Sequence, residues 1–255
     1  MNPRSFAPLL VAALFGCAPA HGELGVPTAS ASASAPAPSA SAVGFDQPFR
    51  KTAPKPTGEV VFRAPAVEEI RLSNGLRVLF VEQTGLPIVA VNVASKTGQE
   101  SSNVPGLGGL TAAMMMRGTT GRDAIQLGDD IEAIGANIET FGDFDTIGIG
   151  GKGLVSTLPT LLDLVADVAM HPAFDAKELD RERSRRMTIL KTQVDRPGTL
   201  LGNAIGELLY AKDNPYASPL LGTEASLGGI KRDQLVSFHR ERFAISKVTI
   251  SVAGN

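Results

Sequence analysis

The sequence predicts an α+β fold, an antiparallel sheet with helices packed mainly on one face. Two observations carry that expectation. Asn74-Gly75 separates two short strand-like segments, residues 67–72 and 76–81, and Asn-Gly supplies the positive φ angles of a tight hairpin turn. Beyond that hairpin, segments come in blocks of strands, helices, strands, helices and a final strand, and blocks imply hairpins rather than helical crossovers.

Each element has its own local reason. Residues 87–94 alternate, with Val89, Val91 and Val93 on one side, as a half-buried strand does. Residues 106–119 read as a short apolar helix entered through glycines and stopped by Gly118. Leu107, Leu110, Met114 and Arg117 recur there at helical spacing. A helix over 123–134 carries Ile125, Leu127, Ile131 and Ile134, and Gly135 is placed to end it as a left-handed cap. Residues 136–141 and 146–150 are strands with Asp143 at the turn between them. A helix over 158–170 has Ser156 or Thr157 as its cap and Pro159 in its first turn. Asp175 and Glu178 make a capping-box-like start to a longer helix reaching about residue 194, and Pro197 breaks it. Residues 200–209 form a helix whose inner face is expected to be Leu201, Ile205, Leu208 and Leu209. Asn214-Pro215 and Pro219 mark a loop. A helix over 232–243 precedes a last strand over 247–253. The folded part contains no internal repeat.

Composition narrows the function classes. The 255 residues suffice for one substantial domain or two small ones, and 43% hydrophobic and 20% charged content is ordinary for a globular protein. A net charge of -2 argues against a nucleic-acid partner. Arg181, Arg183, Arg185 and Arg186 cluster, but among acidic residues, and read as a solvated helix face. A single cysteine excludes an intrachain disulfide. His21, His171 and His239 include no pair at helical metal-binding spacing and read as structural.

The amino terminus reads as an address. Arg4 precedes an apolar run over 6–15, too short for a membrane span of about 20 residues. Leu14-Phe15-Gly16-Cys17 resembles a bacterial lipobox. That resemblance implies a lipoprotein signal peptide over 1–16, cleavage before Cys17 and lipid attachment to Cys17; a plain secretory signal cut near Ala18 or Ala20 is the alternative. Residues 17–60 are dominated by Ser, Ala and Pro and read as a disordered tether, leaving 61–255 as the folded domain. The expected location is the bacterial cell envelope, lipid-anchored, with Ala18 after the cysteine pointing to the periplasmic side of the outer membrane.

The stretch Gly106-Leu-Gly-Gly-Leu-Thr-Ala-Ala-Met-Met-Met-Arg-Gly-Thr119 resembles the active-site helix of the insulinase, pitrilysin and mitochondrial processing peptidase family, whose pattern is G-L-x-H-x-x-E-H-M-x-x-x-G-T. Gly106, Leu107, Met114, Gly118 and Thr119 keep its frame. The catalytic positions fall on Gly109, Ala112 and Ala113, and the distal zinc-ligand glutamate falls on Ile189. None of these four side chains has a lone pair to offer a metal or a proton. Further pieces match in order: Gly135-Ala136, Leu158-Pro159, Pro172-Ala-Phe174, Glu178-Leu-Asp-Arg-Glu182, Asn214-Pro215-Tyr216, Leu221-Gly222-Thr223 and Val236-Ser-Phe238. The resemblance implies one insulinase-like amino-terminal peptidase domain without a catalytic centre and without a cofactor. It also places a peptide-holding edge on Ala136, Asn137, Ile138 and Glu139, where a substrate strand would add to the sheet. Glu182, matching a family acidic position, is expected to pair with a surface arginine.

Three functions follow as expectations. The first is a catalytically inactive subunit or domain that pairs with an active insulinase-family zinc peptidase and helps form its peptide-holding chamber, with peptide or unfolded protein as substrate. The second is an active zinc endopeptidase with atypical ligands among Glu139, Asp143, Asp145 and Glu182, although oxygen-only sites suit Mg²⁺ or Ca²⁺ better. The third is a stand-alone envelope lipoprotein that binds peptides or scaffolds partners. Gly148, Gly150 and Gly153 satisfy G-x-G-x-x-G, but no helix opens there, so close backbone packing is the expected role. Met114 to Met116 read as core filling rather than a soft-metal site.

Overall fold

The Asn74-Gly75 turn closes the first hairpin in the computed structural model, which describes Gly58 and residues 64–255. Gly75 has φ +86°, and Leu76 N donates to Asn74 Oδ1 at 3.0 Å. The hairpin joins β1 (Glu68–Arg71) to β2 (Arg77–Glu82). After it come β3 (Ile88–Ser95), α1 (Leu107–Met115), α2 (Ala124–Ala133), β4 (Asn137–Gly142) and β5 (Ile147–Leu154). The chain continues through α3 (Leu158–Met170), α4 (Ala176–Thr192), α5 (Pro197–Leu209), α6 (Glu224–Gly229), α7 (Arg232–Arg242) and β6 (Val248–Gly254). The short α6 adds to the elements read from sequence. Pro197 not only ends what precedes it but opens α5, since its fixed φ and missing N–H suit a first turn. Residues 1–16, Cys17 and His21 lie outside the described residues. No described helix is long and apolar enough to cross a membrane.

Local chemistry explains the boundaries. Asp123 caps α2 with a full capping box to Gln126, and Gly135 follows that helix with φ +61°. Asp175 accepts from Lys177 N and Glu178 N at the start of α4, while Glu178 itself pairs with Arg181 instead of closing a box. Gly106 has φ +83°, and a Cβ there would come within 2.6 Å of the Leu221 carbonyl oxygen. Glycine is therefore required where α1 begins, because this backbone meets the Leu221-Gly222 turn directly.

Six strands form one sheet in the order β1-β2-β6-β3-β5-β4. Every pairing is antiparallel except β2 with β6, which run parallel from Arg77↔Thr249 to Glu82↔Gly254. The last strand inserts between the first hairpin and β3, a placement that no local turn signal reports. Among the described residues β4 lies at one edge, paired with β5 alone.

The core lies between this sheet and α1, α3 and α7. Val89 and Val91 of β3 and Ile147 and Ile149 of β5 are buried with Leu110, Met114, Leu161, Val165 and Leu235. Burying each such side chain contributes about 1.5–3 kcal/mol. Met114 and Met115 are fully buried core filling. On the other face of the sheet Asn92 and Lys152 are exposed. Gly148, Gly150 and Gly153 lie within β5, not at the mouth of a helix. A Cβ at Gly148 would sit 2.7 Å from the Val93 carbonyl oxygen, and one at neighbouring Gly151 would sit 2.7 Å from Val165 Cγ2 of α3. The glycines thus let strand and helix approach closely.

The face assigned to α5 needs correction. Leu201, Ile205, Leu208 and Leu209 do not point inward: they are 62%, 46%, 84% and 73% exposed, and no residue of the helix is buried. Its inner side is instead Thr199, Asn203 and Gly206, spaced four and three apart and half-buried. A Cβ at Gly206 would lie 2.8 Å from the Tyr216 carbonyl oxygen, so the small residue is what lets the helix dock. Periodicity located an apolar stripe correctly, but backbone contact chose the opposite stripe as the inside.

Candidate functional site

The site assembles on the polar side of α1. Leu107, Leu110 and Met114 turn into the core, which leaves Gly109, Ala112 and Ala113 on the facing side three and four residues apart. That side lies against the end of β4: Thr140 Oγ1 donates to the Ala112 carbonyl at 2.6 Å, and a Cβ at Gly142 would be 3.1 Å from Ala112 Cβ. The small residues form the floor of an open groove of about 510 Å³. Arg185, Arg186 and Gln193 form one wall, and Thr199 and Asn203 of α5 form another.

The wall is charged, and part of its charge is buried. Glu182 on α4 is 2% exposed and accepts from Arg117 Nη2 at 3.0 Å, Arg185 Nη2 at 2.7 Å and Arg186 Nε at 3.1 Å. Burial alone would raise its pKa, but the hydrogen bonds from Arg185 and Arg117 and the nearby charge of Arg186 outweigh it, holding the carboxyl down at about 2. Burial pushes the Arg186 guanidinium downward from its usual value, opposed by the Glu182 carboxylate. Glu182 pairs with arginines at the surface as expected, Arg117 and Arg185, but is itself buried. The expectation that the arginine cluster is simply a solvated face is corrected. Arg186 is 8% exposed, and Arg183 donates to the carbonyls of Leu227 and Ile230 at 3.0 and 2.8 Å. The spacing of Glu182 and Arg186, four apart on a helix, was the signal available for their pairing.

Arg186 also reaches across to α1. Its Nη2 donates to the Gly109 carbonyl at 2.7 Å, and a Cβ at Gly109 would stand 3.3 Å from Nη1. A guanidinium thus lies over the helix position that a zinc-binding histidine would occupy. The residues present do not fit a zinc ion: Gly109, Ala112 and Ala113 have no donor atoms, and a fixed cation lies against them. Ile189, half-buried on α4, does not line the groove. The other carboxylates are dispersed. Asp143 accepts from Asp145 N and Thr146 N, Asp145 pairs with the Tyr216 hydroxyl, and Glu139 is exposed. Among the described residues no three His, Cys, Asp or Glu side chains converge as metal ligands do.

The histidines have separate places. His239 is buried, hydrogen-bonded to the Ala169 carbonyl at 2.9 Å, and burial lowers its pKa. His171 lies on the surface at the end of α3. Of the edge-strand residues, Ala136 precedes β4, Asn137 and Glu139 are exposed and Ile138 is buried. One side of β4 pairs with β5, and no described strand pairs with the other.

A six-stranded sheet backed by helices, with a glycine-framed helix set against its β4–β5 hairpin, is an α+β layer domain. The chain belongs to the insulinase family, peptidase family M16, whose model matches residues 77–224. An uncharacterised zinc protease of Bacillus subtilis, YmxG, is 25% identical over 191 residues, 74% of this chain and 46% of that protein. Subunit 1 of the mitochondrial cytochrome b-c1 complex of Caenorhabditis elegans is 25% identical over 198 residues, 77% of this chain and 42% of that one. The crystal structure of a peptidase M16 inactive domain from Pseudomonas fluorescens superposes with a TM-score of 0.70 at 28% identity, over 74% of this chain and 46% of the other. The chain spans about half the length of the curated relatives that it matches.

Proposed function

We propose that this chain is a non-catalytic M16 domain that pairs with an active zinc peptidase of the same family and holds peptide along the β4 edge. The observation that carries this reading is Arg186 seated on Gly109: the position for a metal is filled by a guanidinium and the general-base position by Ala112. A related Pseudomonas fluorescens structure described as an inactive domain supports it. So does the relative named as subunit 1 of the cytochrome b-c1 complex, since its name places it in an assembly.

The exposed stripe of α5 supplies the pairing surface. Leu201, Ile205, Leu208 and Leu209 stand in solvent on one helix. An apolar stripe of that kind marks a protein contact. The relatives are about twice as long as the matched region, so a second domain of the same family is the occupant that the stripe best suits. The lipobox-like Leu14 to Cys17 supports anchoring through Cys17 at the periplasmic side of the outer membrane.

Co-expression with a family member that carries intact H-x-x-E-H, followed by purification of the pair and of each chain alone, tests this reading. The pair is expected to cleave peptides. The isolated chain is expected to cleave none and to bind no stoichiometric zinc. Proteolysis by the isolated chain, or its failure to associate, would overturn the proposal.

A further inference from the structure

We infer that the groove beside α1 is a carboxylate site, with Arg186 at its base and Arg185 at its rim, and that it takes a carboxylate group of a bound peptide. The inference rests on the reading that this chain holds peptide, and it does not depend on pairing.

The donor is already in place. Arg186 is held by two of its three nitrogens, Nε on Glu182 at 3.1 Å and Nη2 on the Gly109 carbonyl at 2.7 Å. Nη1 has no hydrogen-bond partner among the described residues, although the side chain is only 9% exposed. It lies over the groove floor, 3.3 Å from where a Cβ on Gly109 would be. The absence of that Cβ keeps the approach to Nη1 open. A guanidinium fixed on two sides is pre-organised, so little rotamer freedom is lost when a third bond forms.

Charge selects the ligand. Arg117, Arg185 and Arg186 surround the single carboxylate of Glu182, leaving a local surplus of positive charge. Arg185 is half-exposed at the rim, and among the described residues no acidic side chain lines the groove. Arg117 lines a separate cavity with Arg181 and Arg185, where Asp123, Glu178 and Glu182 balance them, so the groove's own charge comes from Arg185 and Arg186. An unpartnered guanidinium donor open to the groove, in a positive setting, favours an anion that accepts hydrogen bonds.

Position selects a peptide as its bearer. Thr140 and Gly142, at the carboxyl end of edge strand β4, line the same groove. A peptide added parallel to β4 would bring its terminal carboxylate to Arg186. One added antiparallel would bring an Asp or Glu side chain there. Asn203 and Gln193 face the groove with no side-chain partner among the described residues and can hold neighbouring peptide groups.

The test uses the full chain and fluorescent peptides of one apolar sequence: a free acid, its carboxy-terminal amide, and the amide with one internal glutamate. Anisotropy titration is expected to give at least about tenfold tighter binding for a carboxylate-bearing peptide than for the plain amide, the range for a hydrogen bond to a charged group. The free acid binding best assigns the terminal carboxylate; the glutamate amide binding best assigns the side chain. Arg186→Gln is expected to abolish the preference. Because that change disturbs Glu182, Ala113→Glu is the second variant: it places a carboxylate in the groove, leaves the arginine cluster intact and is expected to abolish the preference with an unchanged melting temperature. Equal binding of all three peptides leaves peptide holding standing and overturns the carboxylate site. No binding of any peptide overturns both, and a preference that survives Ala113→Glu overturns the site.

Discussion

α4 and α5 are neighbours with opposite habits. α4 is rich in Glu, Asp and Arg, yet it buries Glu182 and Arg186 against α1. α5 is rich in leucine, yet it turns Thr199, Asn203 and Gly206 inward and leaves its leucines in solvent. Hydropathy ranks the two helices the wrong way round for burial. What decides is the partner each helix meets. α4 meets α1 at Gly109, where Arg186 lies on the small helix residue and is backed by a carboxylate that three guanidinium groups hold. α5 meets the Tyr216 backbone, where only a small residue fits.

The largest expected effect comes from breaking the buried charge cluster. Glu182→Ala leaves Arg186 buried beside Arg185 with its counter-charge gone and is expected to destabilise the domain by about 3–5 kcal/mol in urea unfolding. A loss below about 1 kcal/mol would mean that α4 and α5 differ in appearance only.

Acid probes the same cluster without mutation. The folded-state pKa of Glu182 lies below the ordinary carboxylate range, at about 2, so the folded protein binds fewer protons than the unfolded chain. The stability it contributes is complete above that ordinary range and is lost as pH falls toward about 2. In Glu182→Gln this part of the acid dependence is expected to flatten, as read by melting temperature against pH. An unchanged profile would show that other groups govern acid unfolding.

Replacing both partners should cost less than replacing one. Glu182→Leu with Arg186→Met exchanges ionic for apolar packing, and such swaps are often neutral or stabilising. The double variant is expected to recover at least about 2 kcal/mol relative to Glu182→Ala, which urea unfolding of the series would show.

The smallest stability effect is expected on α5. Leu201→Glu and Leu208→Glu change side chains that are 62% and 84% exposed, so each should shift stability by no more than about 0.5 kcal/mol. Association with an active family member is expected to fall sharply in co-purification. A large stability loss with pairing intact would instead make α5 an ordinary packing helix.

Much of the fold was legible. Asn74-Gly75, Asp123, Gly135 and Asp175 act locally, through φ angles and side-chain caps, and each marks an element the structure contains. The frame residues of α1 were legible as a motif, but their physical reason was not. Gly106 is glycine because the Leu221 carbonyl lies against it from more than a hundred positions away in the chain. Arg186 was misread for the same reason: a helix rich in arginine looks solvated until the helix it packs on is known. The inserted β6, parallel to β2, left no local mark at all.

The amino-acid sequence by itself determined the order of elements, their caps and turns, and the lack of metal-ligating side chains at Gly109, Ala112, Ala113 and Ile189. These depend on residue type and short-range geometry. Only the tertiary structure decided which stripe of α5 faces inward, where β6 enters the sheet, and that Arg186 lies on Gly109. Those choices depend on which distant backbones approach closely enough to exclude a side chain or to share a charge, and periodicity along one chain contains no such distance.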